Sequence, residues 1–544
     1  MPYEKPGIEI TQVQRSQSPI LVTPDLEAVV VGNAYWWQDP TWDNPEDALR
    51  HSVASTTVSA NGSPTTIALS GINPEYYDVS GDESLVIVDL LGISGAETGR
   101  VRHLIYGTDY SVTNNVITIS GFSVSGGSTY QAKVGFRAAR ADANVFNKIS
   151  AVSDIANLIG DPVSWNPLAF GARVCQQNAG TSIAVLGYSG TGTTAAIDAI
   201  NAHLTLKEVY AIGVLTQKID PSAAKTHVET MSSPTQKRER FIAINKVVPH
   251  TAGIDPELQT ISQKDEVVAS VRDANAAIQS RRVVSIHPDI AFVLETRHVT
   301  TLRPAWIQAS FSSFTTFDFS TYGPFARFVS DTKVGGRLYK AGTEITESIW
   351  DLLIANGWGG STGMVTVYAP VPGFYYCAQV AGLAIGTAPE QPLTNYPTTG
   401  LSQVYASQDL FSEEQLNVLG EGGTWIMTQD SPSAPIVSRH QMTTDITSVA
   451  KRELSITKAL DYTAKLMRST LKPYIGRFNI TPDFLKLANS IMVSIGLFLK
   501  RTGVINDLKV LSLVQDDLSP DTIRAEIEVL VKYPVNYIKI TLVF

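Results

Sequence analysis

The residues that come nearest to chemistry in this sequence are a glycine-rich turn, a scatter of histidines and a recurring lysine. Gly187-Tyr188-Ser189-Gly190-Thr191-Gly192 lies between an apolar run, Ser182 to Gly187, and a helical pattern, Thr193 to His203. Glycine loops in that position cradle phosphates with backbone N–H groups. A phosphate loop, however, needs Lys and then Ser or Thr after its last glycine, and here Thr193 and Thr194 follow. The dinucleotide spacing G-x-G-x-x-G is reversed, and the nucleophile elbow G-x-S-x-G fails because Thr191 stands where its last glycine belongs. The segment therefore reads as a plain strand-to-helix turn. The histidines, at 51, 103, 203, 227, 250, 287, 298 and 440, never recur at the three- or four-residue spacing that puts two metal ligands on one helix face. His287-Pro288-Asp289 reads as a hydrogen-bonded strand end and not as an acid–base group. Cys175 and Cys377 stand far apart and supply neither a zinc site nor a disulfide framework; both read as buried, inert thiols. The chain is expected to be no enzyme and to carry no catalytic residue, cofactor or metal.

One charged pattern is left. Lys451, Lys458, Lys465 and Lys472 recur every seven residues, nearly two helical turns, with Arg468 beside them, so a continuous helix would bring them to one face. Val449, Ile456, Leu460, Met467 and Leu471 form an apolar line on another side. Residues 443–480 hold seven basic residues against three acidic, inside a chain of net charge -9. The face is either solvated or a docking stripe for an acidic partner surface.

These patterns need elements to position them. At 544 residues the chain exceeds the ~250–300 at which one core stops growing, so several domains are expected. An apolar fraction of 44% with 17% charged residues suits large folded cores. The acidic balance argues against a surface built to neutralise nucleic-acid phosphates. No apolar run reaches the roughly 18 residues of a membrane span, and Glu4, Lys5 and Glu9 stand where an export signal would be apolar.

Residues 1–24 read as an extended arm and 25–50 as the start of a core, whose run Leu26 to Gly32 suits a strand buried on both faces. Residues 51–140 turn to Thr, Ser, Val and Gly in short runs, an all-β insertion. Residues 141–430 alternate strands and helices, which implies a largely parallel sheet with helices packed on it, and 311–372 form a variable subdomain. Residues 431–544 close the chain with a helix from Thr444 to Leu471, another from Pro482 to Arg501 capped by Gly503, and strands near Leu508, Ile523 and Val535. The expected class is multidomain α+β and α/β: a mixed αβ core with an all-β insertion, and a C-terminal domain of two helices plus antiparallel strands.

In the last ten residues Ile538, Ile540, Leu542 and Phe544 share one face of an alternating strand. A strand of that quality at one end and an extended arm at the other suit β-augmentation of neighbouring molecules, which head to tail makes rings or helices. The alternative is that both ends pair within their own subunit.

At this point the chain resembles a known family, the tail sheath proteins of contractile phage tails and related contractile injection systems. Pro6-Gly7-Ile8-Glu9-Ile10 looks like the family's N-terminal arm. Val380-Ala381-Gly382-Leu383-Ala384, then Gly386 and Pro392 to Asn395, is similar to its Ala-Gly-x-x-Ala segment and Pro-containing turn. Leu410 to Gly420 resembles the segment before its Gly-rich turn, here Gly420 to Gly423, and Arg452, Ile456, Gly503 and Pro534 complete the order. The chain departs from the family at Ile385 and Thr387, where an Arg and an Asp are common, and at Arg439-His440, which replaces Gly-x-Arg-Thr. The segments 51–140 and 311–372 are unmatched.

The resemblance implies a structural subunit polymerising as stacked rings around an inner tail tube and contracting to drive it through a host envelope. Its partners would be further copies of itself, a tail tube protein, and baseplate and tail terminator proteins, with no nucleic acid and no direct membrane insertion. It would reside in the contractile tail of a virion and be made in the host cytoplasm. The arms, with Ile8, Ile10, Val13, Ile538, Ile540, Leu542 and Phe544, would be swapped strands completing neighbours' sheets, and Lys451, Lys458, Lys465, Arg468 and Lys472 would face the tube. Alternatives are another contractile-tail component, such as a baseplate or terminator protein, or a nucleotide-using or hydrolytic α/β enzyme.

Overall fold

The computed structural model describes residues 26–541 except 34–56, 60–64, 69–85, 95–100, 105–108, 114–115, 120–128, 137–144, 161, 163–165, 189–192, 249–258, 299–325, 347–348, 350–351, 354, 361–363, 405–410, 432–433 and 537. It divides into two compact units: residues 26–458 with the described part of 533–544, and residues 459–532.

The larger unit is built on a nine-stranded sheet. Its strands are β1 (Ala28–Asn33), β2 (Phe146–Ile149), β3 (Ile183–Tyr188), β4 (Ala211–Leu215), β5 (Phe241–Asn245), β6 (Val283–His287), β7 (Pro397–Thr398), β8 (Thr424–Thr428) and β9 (Ile436–Ser438), in the order β7-β9-β8-β6-β5-β4-β1-β3-β2. The six central strands from β8 to β3 are parallel; β2 and β9 join antiparallel. Apolar side chains on both faces explain this arrangement. Ala28, Val30, Phe241 and Ala243 enter one core cluster, and Val29, Val31, Ile242 and Ile244 enter the other. Helices α1 (Val152–Ile159), α2 (Pro167–Ala179), α3 (Ala195–Leu204), α4 (Pro221–Met231), α5 (Ile261–Ile278), α6 (Tyr375–Gly386) and α7 (Glu413–Glu421) supply the cover. α2 and α6 contribute to the first cluster, α3 and α4 to the second. Helix starts follow local chemistry: Asn166 and Asp220 cap α2 and α4 ahead of Pro167 and Pro221, and Thr260/Gln263 and Ser412/Gln415 form capping boxes on α5 and α7. The mixed αβ core with a largely parallel sheet is thus as read from the sequence.

α6 is apolar all round because it is buried all round. Two glycines permit this. A Cβ on Gly213 of β4 would lie 2.8 Å from the carbonyl oxygen of Cys377 in α6, and one on Gly382 of α6 would collide with the Cys175 carbonyl of α2. The Ala-Gly-x-x-Ala motif therefore marks the place where α2 and α6 cross backbone to backbone.

Between residues 57 and 136 the described elements are strands, in a four-stranded and a three-stranded antiparallel sheet. Further on, Ile290–His298 pairs along its whole length with Met364–Pro372. Beside them, a small core of Ala326, Phe328, Ile345, Leu353, Val365 and Val367 is flanked by a hairpin that turns at Gly335-Gly336, both at positive φ.

The C-terminal helix departs from expectation. In place of one helix from 444 there are α8 (Val449–Arg452) and α9 (Leu454–Leu471), separated by Glu453 in extended conformation (φ -88°, ψ 115°). The competing tertiary contacts are visible: Glu453 bridges to Met442 as in a sheet, Leu454 N–H donates to Gln441 O, and Thr443 N–H donates to Arg452 O. A β-like contact has replaced one helical residue, and the seven-residue register is lost there.

In the smaller unit, α10 (Pro482–Thr502) starts at the Thr481 cap and stops at Gly503, which is left-handed at φ 88°. Ile491, Ile495 and Leu499 of α10 share a core with Ala459 and Leu466 of α9. By length and composition alone α10 could cross a membrane. It is nonetheless amphipathic, with Asp483, Lys486, Lys500 and Arg501 near its ends. β10 (Asp507–Gln515) and β11 (Ile523–Leu530) form a two-stranded antiparallel sheet, and Gly496 lets α10 lie against Leu508 of β10. The third strand expected near Val535 is not formed: residues 535, 536 and 538–541 belong to no strand.

Candidate functional site

The sequence singled out two sets of residues, and the structure treats them differently. Ile8, Ile10, Val13, Leu542 and Phe544 of the terminal arms lie outside the described residues. Ile538 and Ile540 are described, each 77% exposed, with Val535 at 80%. Their apolar alternation has no ladder to serve within this chain among the described residues.

The basic stripe breaks. Lys451 sits on the separate α8, half-exposed, 3.6 Å from Asp445. Lys458 is 1% exposed, and its ammonium donates to the Thr387 hydroxyl (2.8 Å) and carbonyl (3.1 Å). Burial lowers its pKa to about 7 against a smaller opposing pull from Glu390. It is a core residue and is removed from any docking face. Val449, expected on the apolar side, is 45% exposed, again because α8 is separate from α9. Lys465 and Arg468 are half-buried on α9, and Lys472 is exposed on the short 3-10 turn after it.

The other candidates that are described take up structural positions. Ser189 to Gly192 of the glycine-rich turn lie outside the described residues, while Gly187 and Tyr188 end β3. His287 is buried at the end of β6 beside a cavity of about 150 Å³. The next residues are held by a polar net: Asp289 accepts from Val248 N–H, and Asn245 donates to the carbonyls of Ile286 and Pro288. Arg240, fully buried, donates to the carbonyls of Leu204 and Lys207 at the end of α3. Beside it His227 has its pKa lowered to about 4 by burial and by the Arg240 charge. Arg240 thus caps the end of α3, while Nδ1 of His227 lies 2.7 Å from the Asn201 side-chain oxygen. Cys175 and Cys377 are free and buried, and burial raises both thiol pKa values. Among the described residues no group of three His, Cys, Asp or Glu side chains could hold a metal ion.

One constellation was missed. Glu453, fully buried at the helix break, accepts at a single oxygen from His440 Nε2 (2.8 Å), Asn536 Nδ2 (2.9 Å) and Arg452 Nε (3.3 Å). Burial alone would raise the carboxyl pKa. The His440 hydrogen bond and charge, with Arg452 and Asn536, outweigh burial and hold it below the ordinary value. A carboxylate only accepts, so Nε2 of His440 carries the hydrogen, and Asn536, 3.2 Å from that nitrogen, aims at the same oxygen. The group opens on a cavity of about 480 Å³ whose lining includes Asn395, Asn417, Arg439 and His440. Arg439 is itself engaged, donating to Glu413 and Asn417. In the sequence its sole trace was the departure from the family pattern at Arg439-His440; nothing local announced a buried glutamate bound by a residue 83 positions away.

No protein-family model matches this sequence, and no curated protein matches it. Among solved structures, the chain is similar to the helical sheath protein of the anti-feeding prophage in its contracted state, at 11% identity and a TM-score of 0.46, covering 74% of this chain and 88% of that one. It is similar to the sheath in a contracted PVC extracellular contractile injection system, at 12% identity and a TM-score of 0.45, covering 74% and 87%. A sheath tail protein from Desulfitobacterium hafniense, at 10% identity and a TM-score of 0.37, covers 93% of each chain. These solved structures are tail sheath proteins of contractile systems, the family whose ordered motifs this sequence resembles.

Proposed function

We propose that this chain is a structural sheath subunit. Copies polymerise as stacked rings around an inner tail tube, in a particle that also carries baseplate and terminator proteins, and contract to drive the tube through a cell envelope. The observation that carries this reading is the state of the C-terminal segment. Residues 538 and 540 keep the alternation of a strand and are strongly exposed, while β10 and β11 form a sheet of two strands. Among the described residues these two strands leave two open edges, and a two-stranded sheet is a marginal structure until something is added to it. A strand lent by a neighbouring copy answers both needs, and lending head to tail propagates without closing. Residues 1–24 would serve as the second arm. Contraction is then rigid-body rotation of subunits from a metastable packing to a better-buried one, with the strand ladders acting as hinges that stay intact.

The test is removal of residues 538–544. The truncated subunit should fold and remain dispersed, with no cylinders in electron micrographs and no fast-sedimenting polymer. Normal cylinders from the truncated chain would overturn the exchange of this arm.

A further inference from the structure

We infer that Asn536 is the anchor of the C-terminal arm: its side-chain amide, docked on the buried Glu453–His440 pair, fixes where the arm leaves the subunit and so presents Ile538 and Ile540 to a second copy of this chain. The inference rests on the reading that the arm joins a neighbour, and adds how the arm is readied.

Residues 533–536 and 538–541 belong to no strand, and Val535, Ile538 and Ile540 are all more than three-quarters exposed. Among the described residues, the hydrogen bond that ties this segment to the rest of the larger unit is the one Asn536 donates to Glu453. Their target is unusually fixed. Glu453 is held by its β-bridge to Met442 and by the Leu454-to-Gln441 hydrogen bond, and the same strand-like segment carries His440 just after β9. The carboxylate is fully buried, so a hydrogen bond to it is stronger than one at the surface. An amide suits the position, because it donates to the carboxylate without adding charge beside Arg452 and Arg439. Ile538 follows two residues later, so anchoring one residue defines the start and direction of the strand a neighbour would meet. An arm ordered in advance loses less freedom when it pairs.

A nitroxide attached to Lys539→Cys in dilute, unpolymerised full-length subunit reports this directly, the two native cysteines being buried. In the otherwise native subunit the label should show restricted motion. Asn536→Ala, which removes the donor, and Asn536→Asp, which turns a second carboxylate on Glu453 at neutral pH, should both free it. His440→Phe, which takes away one partner of the pair, should loosen it partially. The polymerisation threshold of Asn536→Ala should rise roughly tenfold, as expected for one hydrogen bond to a charged group, with cylinders of unchanged form. A label equally mobile in the native subunit and in Asn536→Ala overturns the anchor. That result is independent of the 538–544 truncation, which keeps Asn536 and tests the exchange itself.

Discussion

Lys458 shows how a single buried atom decides between two readings of the same residue. Among the described residues its ammonium ends on a hydroxyl and a carbonyl, with no carboxylate in bonding contact, and burial lowers its pKa to about 7. The folded value lies below the unfolded one, so between about pH 7 and about 10.4 the unfolded chain holds a proton that the folded chain does not. The Lys458-dependent part of stability therefore rises with pH across that window and is lowest below it. Lys458→Met should stabilise the subunit at pH 6.5 by about 1–4 kcal/mol, and the gain should shrink by pH 9; urea denaturation of both chains at the two pH values measures it. A native chain that is the more stable at pH 6.5 would contradict the assignment. The family's frequent Asp at position 387 suggests a complementary change. Thr387→Asp would place a carboxylate within reach of the ammonium, raise its pKa and flatten the pH dependence.

At the scale of elements, the sequence was most legible where burial and local chemistry agree. The runs Val209 to Leu215, Arg240 to Asn245 and Arg282 to Ile286 read as strands from their apolar pattern, and the strands Ala211–Leu215, Phe241–Asn245 and Val283–His287 form within a residue or two of them. Thr481, Pro482 and Gly503 mark both ends of α10 for the same reason: capping is local. What could not be read depends on contacts distant in sequence. The break at Glu453 arises from bonds to Gln441 and Met442, against a pattern that remains helical throughout. The strand expected near Val535 is not formed, because apolar alternation alone does not provide the neighbouring strand that a ladder needs. Gly382 joins the two kinds of information, since its motif was legible and its reason was not. Because a Cβ there would meet the backbone of α2, Gly382→Val should cost more than ~3 kcal/mol and depress the thermal midpoint by several degrees or abolish folding. Gly180→Ala, open around its Cβ but left-handed at φ 61°, is the control for backbone strain alone and should cost about 1 kcal/mol.

For the whole molecule, loss of Lys458 and of a common helical register changes what the basic residues can do. A stripe of five on one face would dock as a line; in the proposed sheath, Lys465, Arg468 and Lys472, all in the smaller unit, would be left to face the tube. An ion pair at an exposed site such as Lys472 contributes at most ~1 kcal/mol and is screened by salt. In the proposed sheath, a docking surface of this kind would hold the extended state in register through many subunits and release easily in each one, which would suit a contact given up on contraction. Replacing the three by Gln should weaken assembly on isolated tubes several-fold at low ionic strength, with the difference from the native chain vanishing near 1 M salt. Tube-free polymers should form as before, because in this scheme they depend on the arms and not on the basic residues. Equal loss of both kinds of polymer, seen by sedimentation and electron microscopy, would assign these residues to subunit packing and leave the tube to be recognised by another surface.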